Sequence, residues 1–212
     1  MKNLSDIRRE YSRSGLRRKD LDTNPISMFE SWLQQAIDAD IVDPTAMVLA
    51  TSDSRGVVSQ RIVLLKEVDE QGFVFFTSYD SDKARAMADN KHVSLHFPWH
   101  GLERQVSVIG VVEKISSEAS ESYFRSRPLA SQVAAIASPQ SQVIPSRESL
   151  TTRYQALCER YQDTPLPMPG NWGGYRVLPE KIEFWQGGEY RLHDRFRYTA
   201  ADGQWHIDRL AP

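Results

Sequence analysis

One cysteine, Cys158, stands in 212 residues, so no disulfide can form within the chain. That suits a reducing compartment and leaves the fold to its core. Cys158 lies in "RYQALCERYQ", whose spacing is helical, and reads as a core or helix-face residue rather than a reactive thiol. An excess of one charge is lacking too: 26 basic and 28 acidic side chains leave a formal net charge of −2. Nucleic-acid-binding domains usually run strongly basic, so that class is disfavoured and any anion site must be a local cluster. No apolar run approaches the roughly 20 residues of a membrane span. The opening "MKNLSDIRREYSRSGLRRKD" has no apolar stretch of the secretory kind, and a cytoplasmic protein is the expectation. GxGxxG, GxxxxGKS/T and GxSxG patterns are missing, which removes the common phosphate loops and the nucleophile elbow. The histidines His92, His96, His100, His193 and His206 are not joined by cysteines or carboxylates at ligand spacing, so no metal is expected.

What is present is an ordinary globular balance, 40% hydrophobic and 25% charged. Residues 1–24 are polar and basic, which predicts a mobile arm unless it docks; 25–212 follow as one domain. Asn24 and Pro25 signal a helix start, and Phe29, Trp32, Leu33, Ala36 and Ile37 keep helical spacing, giving a helix over roughly 26–39. Short β-rich segments follow at 46–51, 57–68 and 73–78, separated by the turns "DSRG" and "DEQG". A short helix capped by Ser81 is predicted over 81–90, then strands at 92–99 and 103–116, with Gly110 marking a bulge or barrel bend. Three helices come next, the last over 146–162, then a Pro/Gly loop and a return to strands, including "YRLHDRFRYT". Six to eight antiparallel strands with inserted helices point to a mainly β fold, a closed or split β-barrel with peripheral α-helices.

Four clusters could carry chemistry. In "RIVLLK", Arg61 and Lys66 are five positions apart, so in one continuous strand they face opposite ways, with the apolar residues between them buried on both sides. Taken alone, they read first as surface cations at strand ends. Tyr123 and Arg127 are neighbours at i and i+4 on a helix, with Ser131 just past Pro128. Phenol, guanidinium and hydroxyl can clamp a phosphate, although the spacing alone also fits a solvated helix face. Gln140 and Ser141 occupy a polar loop, and Gln105 begins a long strand; neither is informative alone. The densest cluster is "FWQGGEYRLHDR": Trp185 offers a flat face, Gly187 and Gly188 allow close approach, and Arg191, His193 and Arg195 at every second position would form one cationic strand row. A planar phosphorylated ligand would match that combination, and so would a charged strand face.

Together these segments strongly resemble the pyridoxine/pyridoxamine 5′-phosphate oxidases. The resemblance is carried by "RREY" (8–11), "DPTAM" (43–47), "QRIVLLK" (60–66), "FFTSYDSDKA" (75–84), "FPWHGLERQV" (97–106), "YFRSRP" (123–128), "QSQ" (140–142), "WGGYRV" (172–177) and "IEFWQGGEYRLHDRF" (182–196). It implies a homodimeric FMN-binding split β-barrel with FMN at the subunit interface. The implied reaction oxidises pyridoxine 5′-phosphate or pyridoxamine 5′-phosphate to pyridoxal 5′-phosphate, with O2 reoxidising the flavin to give hydrogen peroxide. The implied FMN contacts are Arg61, Ile62, Val63, Leu64, Leu65, Lys66, Phe76, Thr77, Lys83, Gln105, Gln140, Ser141, Trp185 and Arg195. The implied substrate contacts are Arg8, Arg9, Glu10, Tyr11, Lys66, Tyr123, Arg127, Ser131, Arg191, Leu192 and His193. Arg191 and His193 are the implied catalytic pair, with His193 expected as proton acceptor because imidazole titrates near neutral pH. One position departs from the family: an Arg-Lys pair is common where this chain has Asp82 and Lys83, and an Asp near a phosphate is repulsive. Rival readings are a related split-barrel flavoprotein with another substrate, a non-enzymatic pyridoxal phosphate carrier, and a generic anion-binding or nucleic-acid-binding barrel.

Overall fold

Asn24 caps the first helix, α1 (Pro25–Asp38): its side chain accepts from the Ile26 N–H at 2.8 Å, and Pro25 takes the first turn, where its missing N–H costs nothing. The buried face of α1 carries Ile26, Met28, Phe29, Trp32 and Ala36. Phe29 meets Phe73 and Phe97 edge-on at 4.9 and 4.8 Å, which sets the helix against the sheet. The computed structural model describes residues 3, 10–12, 15–162 and 164–212. Arg8 and Arg9 lie outside the described residues.

Among the described residues nine strands form one antiparallel sheet: β1 (Ala46–Ser52), β2 (Val58–Leu64), β3 (Glu67–Asp69), β4 (Gly72–Ser78), β5 (His92–Trp99), β6 (Arg104–Lys114), β7 (Trp172–Gln186), β8 (Asp194–Ala201) and β9 (Gln204–Leu210). That is one more than the upper expectation, because "VVSQRIVLLKEV" divides into β2 and β3. The order runs β2-β1-β5-β6-β7-β4-β3, and β8 and β9 continue from β7. β7 makes the curl possible. One edge pairs with β6 along its length, while the other pairs first with β4 and then with β8. Gly110 sits at the register shift of the β6–β7 ladder, the bend expected of it.

Four further α-helices of the described residues lie outside the sheet: α2 (Asp82–Asp89), α3 (Ser117–Ser126), α4 (Leu129–Ala137) and α5 (Arg147–Arg160). Ser81 precedes α2, but its hydroxyl donates to the Ser78 carbonyl at 2.8 Å instead of capping the helix. The main core is aromatic and aliphatic, with Phe73, Phe75, Phe97, Phe184 and Tyr198 buried. Phe124, Val133, Leu166 and Trp172 make a smaller core beneath α3 to α5, where Cys158 packs half-buried. Residues 15–24 are docked on the domain: Leu16 is buried, its N–H donates to Asp194 Oδ2 at 2.9 Å, and the Asp22 carbonyl accepts from Tyr198 at 2.6 Å.

Two expectations fail here. β2 is not buried on both sides; Val58, Ile62 and Leu64 are exposed in the single chain. Such an apolar edge strand calls for a covering partner. Arg191, His193 and Arg195 do not form a strand row either. Residues 189–191 make a short 3-10 turn with Tyr190 and Arg191 at positive φ, and β8 begins only at Asp194.

Candidate functional site

A cleft of about 820 Å³ opens between β2, β4 and the helical cap. Its wall gathers Arg61, Ile62, Val63, Leu64, Lys66, Phe76, Thr77, Lys83, Tyr123, Arg127, Gln140 and Ser141, residues drawn from distant parts of the chain. Arg61 and Lys66 reach the same cleft although their spacing predicted opposite faces. The strand breaks between Leu64 and Glu67, and the Lys66 N–H turns to the Val74 carbonyl at 2.9 Å. Leu65 is buried in the main core and faces away from the cleft.

Lys83 is the most constrained cation. It lies almost wholly buried on α2, donating to Thr77 Oγ1 at 3.1 Å and to Gln140 Oε1 at 3.4 Å. Burial, with repulsion from Arg61, lowers its pKa to about 8, against the pull of Asp82. Gln140 Oε1 also accepts from Thr77 Oγ1 at 2.9 Å and from the Ser78 N–H at 3.2 Å. The loop reaches this far because Ser141 adopts a φ of 69°, a left-handed conformation that non-glycine residues seldom hold. Arg61 is held by the Leu49 carbonyl, Thr51 Oγ1 and Ser59 Oγ at 3.0, 2.9 and 2.6 Å, and desolvation draws its pKa down.

The other end of the cleft is aromatic. Phe76 stacks on Tyr123 at 3.8 Å and on Trp172 at 5.4 Å, and the Arg127 guanidinium lies 4.9 Å from the Trp172 ring centroid. Arg127 Nη1 is buried with no protein partner. A buried guanidinium N–H without an acceptor is costly, so an anionic ligand has a donor waiting there. Ser131, half-buried in α4, is not in the cleft wall. Trp172 and Asp82 line the cleft and were not singled out as ligand contacts. Trp172 had a signal, an aromatic directly before Gly173 and Gly174; Gly173 is packed so closely that a Cβ would lie 2.1 Å from the Tyr79 hydroxyl.

The remaining candidates form a second locus on the same chain. Trp185 and His193 have ring centroids 4.6 Å apart, and Tyr11 stands edge-on to both, at 5.7 and 5.4 Å. Gly187 permits this approach, since a Cβ there would meet the Tyr11 ring at 2.8 Å. Gln105 is half-buried opposite Trp185 in the β6–β7 ladder. His193 Nδ1 accepts from the Gly188 N–H at 3.2 Å. In the neutral ring the proton is then on Nε2, so the free ring nitrogen is a donor rather than the acceptor expected of it. Desolvation, then Arg191, lowers the His193 pKa. Arg191, Leu192 and Glu10 are exposed. Arg195 is ion-paired with Glu183 at 2.8 Å. Among the described residues no group of His, Cys, Asp and Glu is placed to hold a metal ion, and no helix is long and apolar enough to cross a membrane.

An antiparallel curled half-barrel sheet with a cationic, aromatic-walled cleft defines a split-barrel protein. A family model described as "Pyridoxamine 5'-phosphate oxidase" matches residues 33–158, and one described as "Pyridoxine 5'-phosphate oxidase C-terminal dimerisation region" matches 172–212. The chain belongs to the pyridoxamine 5′-phosphate oxidase family. It is 57% identical over 210 residues to the pyridoxine/pyridoxamine 5′-phosphate oxidase of Vibrio cholerae, covering 99% of this chain and 100% of that one. The Vibrio vulnificus enzyme of the same name is 55% identical, with 99% of each chain covered. Among solved structures, PhzG from Burkholderia lata 383, in complex with tetrahydrophenazine-1-carboxylic acid, superposes with a TM-score of 0.88 at 28% identity, covering 92% of this chain and 95% of that one. A pyridoxamine 5′-phosphate oxidase-related, FMN binding protein from Nostoc punctiforme shares the fold at a TM-score of 0.73 and 16% identity, covering 91% and 100%. The match to a C-terminal dimerisation region supports a homodimer.

Proposed function

We propose that the protein is an FMN-dependent oxidase converting pyridoxine 5′-phosphate and pyridoxamine 5′-phosphate to pyridoxal 5′-phosphate in the cytoplasm. The observation that carries this reading is the meeting of Arg61, Lys66, Lys83, Tyr123, Arg127 and Gln140 in one cleft. Full-length identity of 57% to a pyridoxine/pyridoxamine 5′-phosphate oxidase supports the substrate class.

The donor chemistry fits a phosphorylated flavin. Lys83 and Arg61 would hold the flavin phosphate, and Thr77, Gln140 and Ser141 would supply polar contacts around it. Lys66 and the Tyr123–Arg127 pair would hold the substrate phosphate, and Arg127 Nη1 would gain its missing acceptor. Bound FMN would supply the redox chemistry, taking up a hydride from the substrate C4′ and reducing dioxygen to hydrogen peroxide; the amine substrate would in addition take up water and release ammonia. The protein orients the two rings and excludes water from them.

In one chain the Trp185–His193 locus is separate from the cleft wall. We propose that dimerisation brings the two together, with FMN at the interface. The exposed apolar side chains of β2 support a covered edge there. Arg191 would steady the substrate ring, and His193 would offer it Nε2–H. Trp185, Gln105 and Arg195 would border the flavin. The arm, with Arg8, Arg9, Glu10 and Tyr11, would close over the substrate, a role supported by Tyr11 packing on Trp185 and His193.

The test is to purify the protein, record its visible spectrum, and follow oxygen uptake and peroxide release on adding pyridoxine 5′-phosphate. A yellow protein that consumes oxygen supports the oxidase. No flavin and no uptake would overturn it, and pyridoxal phosphate binding without peroxide would identify a carrier.

A further inference from the structure

Asp82 is an acidic side chain in the wall of a cationic cleft that also carries Arg61, Lys66, Lys83 and Arg127. It is the first residue of α2, and its charge acts on both Arg61 and Lys83. Arg85, one turn further on, reaches back to it. The Arg85 guanidinium ion-pairs with the Asp82 carboxylate and donates to the Asp80 carbonyl. Asp80 is fixed in turn, its carboxylate accepting from Asn171 Nδ2 at 2.5 Å. Both Asp82 and Arg85 are more than half exposed, at 67% and 57%. Arg85 lies outside the cleft wall, so the ion pair straddles the rim with its anion inward.

The sign of Asp82's effect depends on what the cleft holds. Toward Arg61 and Lys83 alone the carboxylate is attractive, and it helps keep a desolvated Lys83 charged. Toward a phosphate dianion held by the same cations it is repulsive. Asp82 therefore favours the ligand-free protein and opposes the phosphorylated ligand, and Arg85 offsets part of that opposition by neutralising the carboxylate from outside.

We infer that Asp82 and Arg85 together set how strongly the cleft prefers a ligand ending in a phosphate monoester over the same ligand without it: Asp82 attenuates the preference and Arg85 restores part of it. The inference rests on the reading of this cleft as the flavin phosphate site. Both are positioning residues for charge, acting on the phosphate through space.

The test uses the full-length protein stripped of flavin and titrated with FMN and with riboflavin, following quenching of flavin fluorescence. Asp82→Asn keeps the shape of an exposed helix-start residue and removes the charge. It is expected to tighten FMN about fivefold to tenfold, the size of a partly screened charge pair, and to leave riboflavin unchanged. Arg85→Gln is expected to weaken FMN about threefold when Asp82 is present and by much less in the Asp82→Asn background. Raising the salt should shrink both differences, because the pair is exposed. An FMN-to-riboflavin affinity ratio unmoved by Asp82→Asn would overturn the inference, as would an equal effect of Arg85→Gln in both backgrounds. A wild-type protein that binds FMN no better than riboflavin would overturn the phosphate-site reading itself. A wild type that prefers FMN, with a ratio insensitive to Asp82, would overturn this inference alone.

Discussion

Arg195 and Glu183 reach each other diagonally across the β7–β8 ladder as a two-pronged ion pair, Nε to Oε1 at 2.8 Å and Nη2 to Oε2 at 3.1 Å. Arg195 also donates to the Ala211 carbonyl at 3.0 Å, which ties down the C-terminus. Three anchored N–H groups leave this side chain little freedom, and Glu183 raises its pKa further. Glu183→Gln should therefore destabilise the fold modestly. A double-mutant cycle with Arg195→Lys should give a coupling of about 0.5–1 kcal/mol, the range for a partly exposed bidentate pair. Urea unfolding of the four proteins measures it, and a coupling of zero would mean that the pair does not hold Arg195.

That pair also explains why the row Arg191, His193, Arg195 was legible as a cluster but not as geometry. Alternation along "YRLHDRF" implies a strand, yet Tyr190 and Arg191 take φ values of 56° and 63°. Neither residue type favours that region. Gly187 and Gly188 were a signal for it, but a two-glycine turn does not say where the next strand starts. Lys66 is a similar case. The parity argument was sound for an unbroken strand, and the break came from pairing with β4, which is tertiary information. Exposure of Ile62 and Leu64 was hidden for another reason: apolar residues in a strand read as core, and nothing within this one chain covers them. By contrast, the Gly110 bulge and the helix start at Asn24 follow from local rules and are present. Tyr123 and Arg127 share the cleft as well, although α3 ends at Ser126 and Arg127 is its extended C-cap. The grouping of Lys83 with Gln140 came only from family resemblance, since no spacing rule joins residues 57 positions apart.

With Lys83 holding the flavin phosphate as proposed, FMN binding should depend on pH. Its pKa is about 8 against the usual 10.5, so the free protein carries the charge below pH 8 and loses it above. A bound phosphate dianion favours the charged form. Affinity should then be full below pH 8 and fall by up to about tenfold per unit as pH rises through it, the slope for one linked proton. Lys83→Arg should remove this decline. Fluorescence titrations between pH 6.5 and 9.5 test it, and a flat wild-type profile would exclude Lys83 as the titrating contact. Stability runs the other way: the unfolded chain holds more protons here, so the Lys83 contribution improves between pH 8 and the usual lysine pKa.

Arg127 should act mainly on substrate binding. Its guanidinium is sandwiched beside Trp172, with Nη1 buried and without a protein acceptor. Lysine cannot reproduce that planar fork. Arg127→Lys should raise KM for pyridoxine 5′-phosphate about 30-fold, roughly the 2 kcal/mol of a charge-assisted contact, with a smaller change in kcat. Steady-state oxygen uptake gives both constants. A mutant whose kcat falls while KM stays put would move Arg127 from substrate binding to the chemical step.

Gly110 should be among the least replaceable residues of the sheet. A Cβ there would lie 2.1 Å from the Leu178 carbonyl oxygen and 3.0 Å from the Pro179 Cα, both backbone atoms of β7 that cannot rotate aside. Accommodating it requires the β6–β7 ladder to part at its register shift, beside the strand that carries Trp172 and Trp185. Gly110→Ala should cost about 2–3 kcal/mol, the range for overpacking against a fixed wall. Gly56 makes the comparison, because it has φ +80° but nothing within 4 Å of its Cβ position. Gly56→Ala should cost about 1 kcal/mol, from conformation alone. Urea midpoints of the two mutants separate steric from conformational cost, and equal losses would mean that the ladder yields to a methyl group more readily than its register implies.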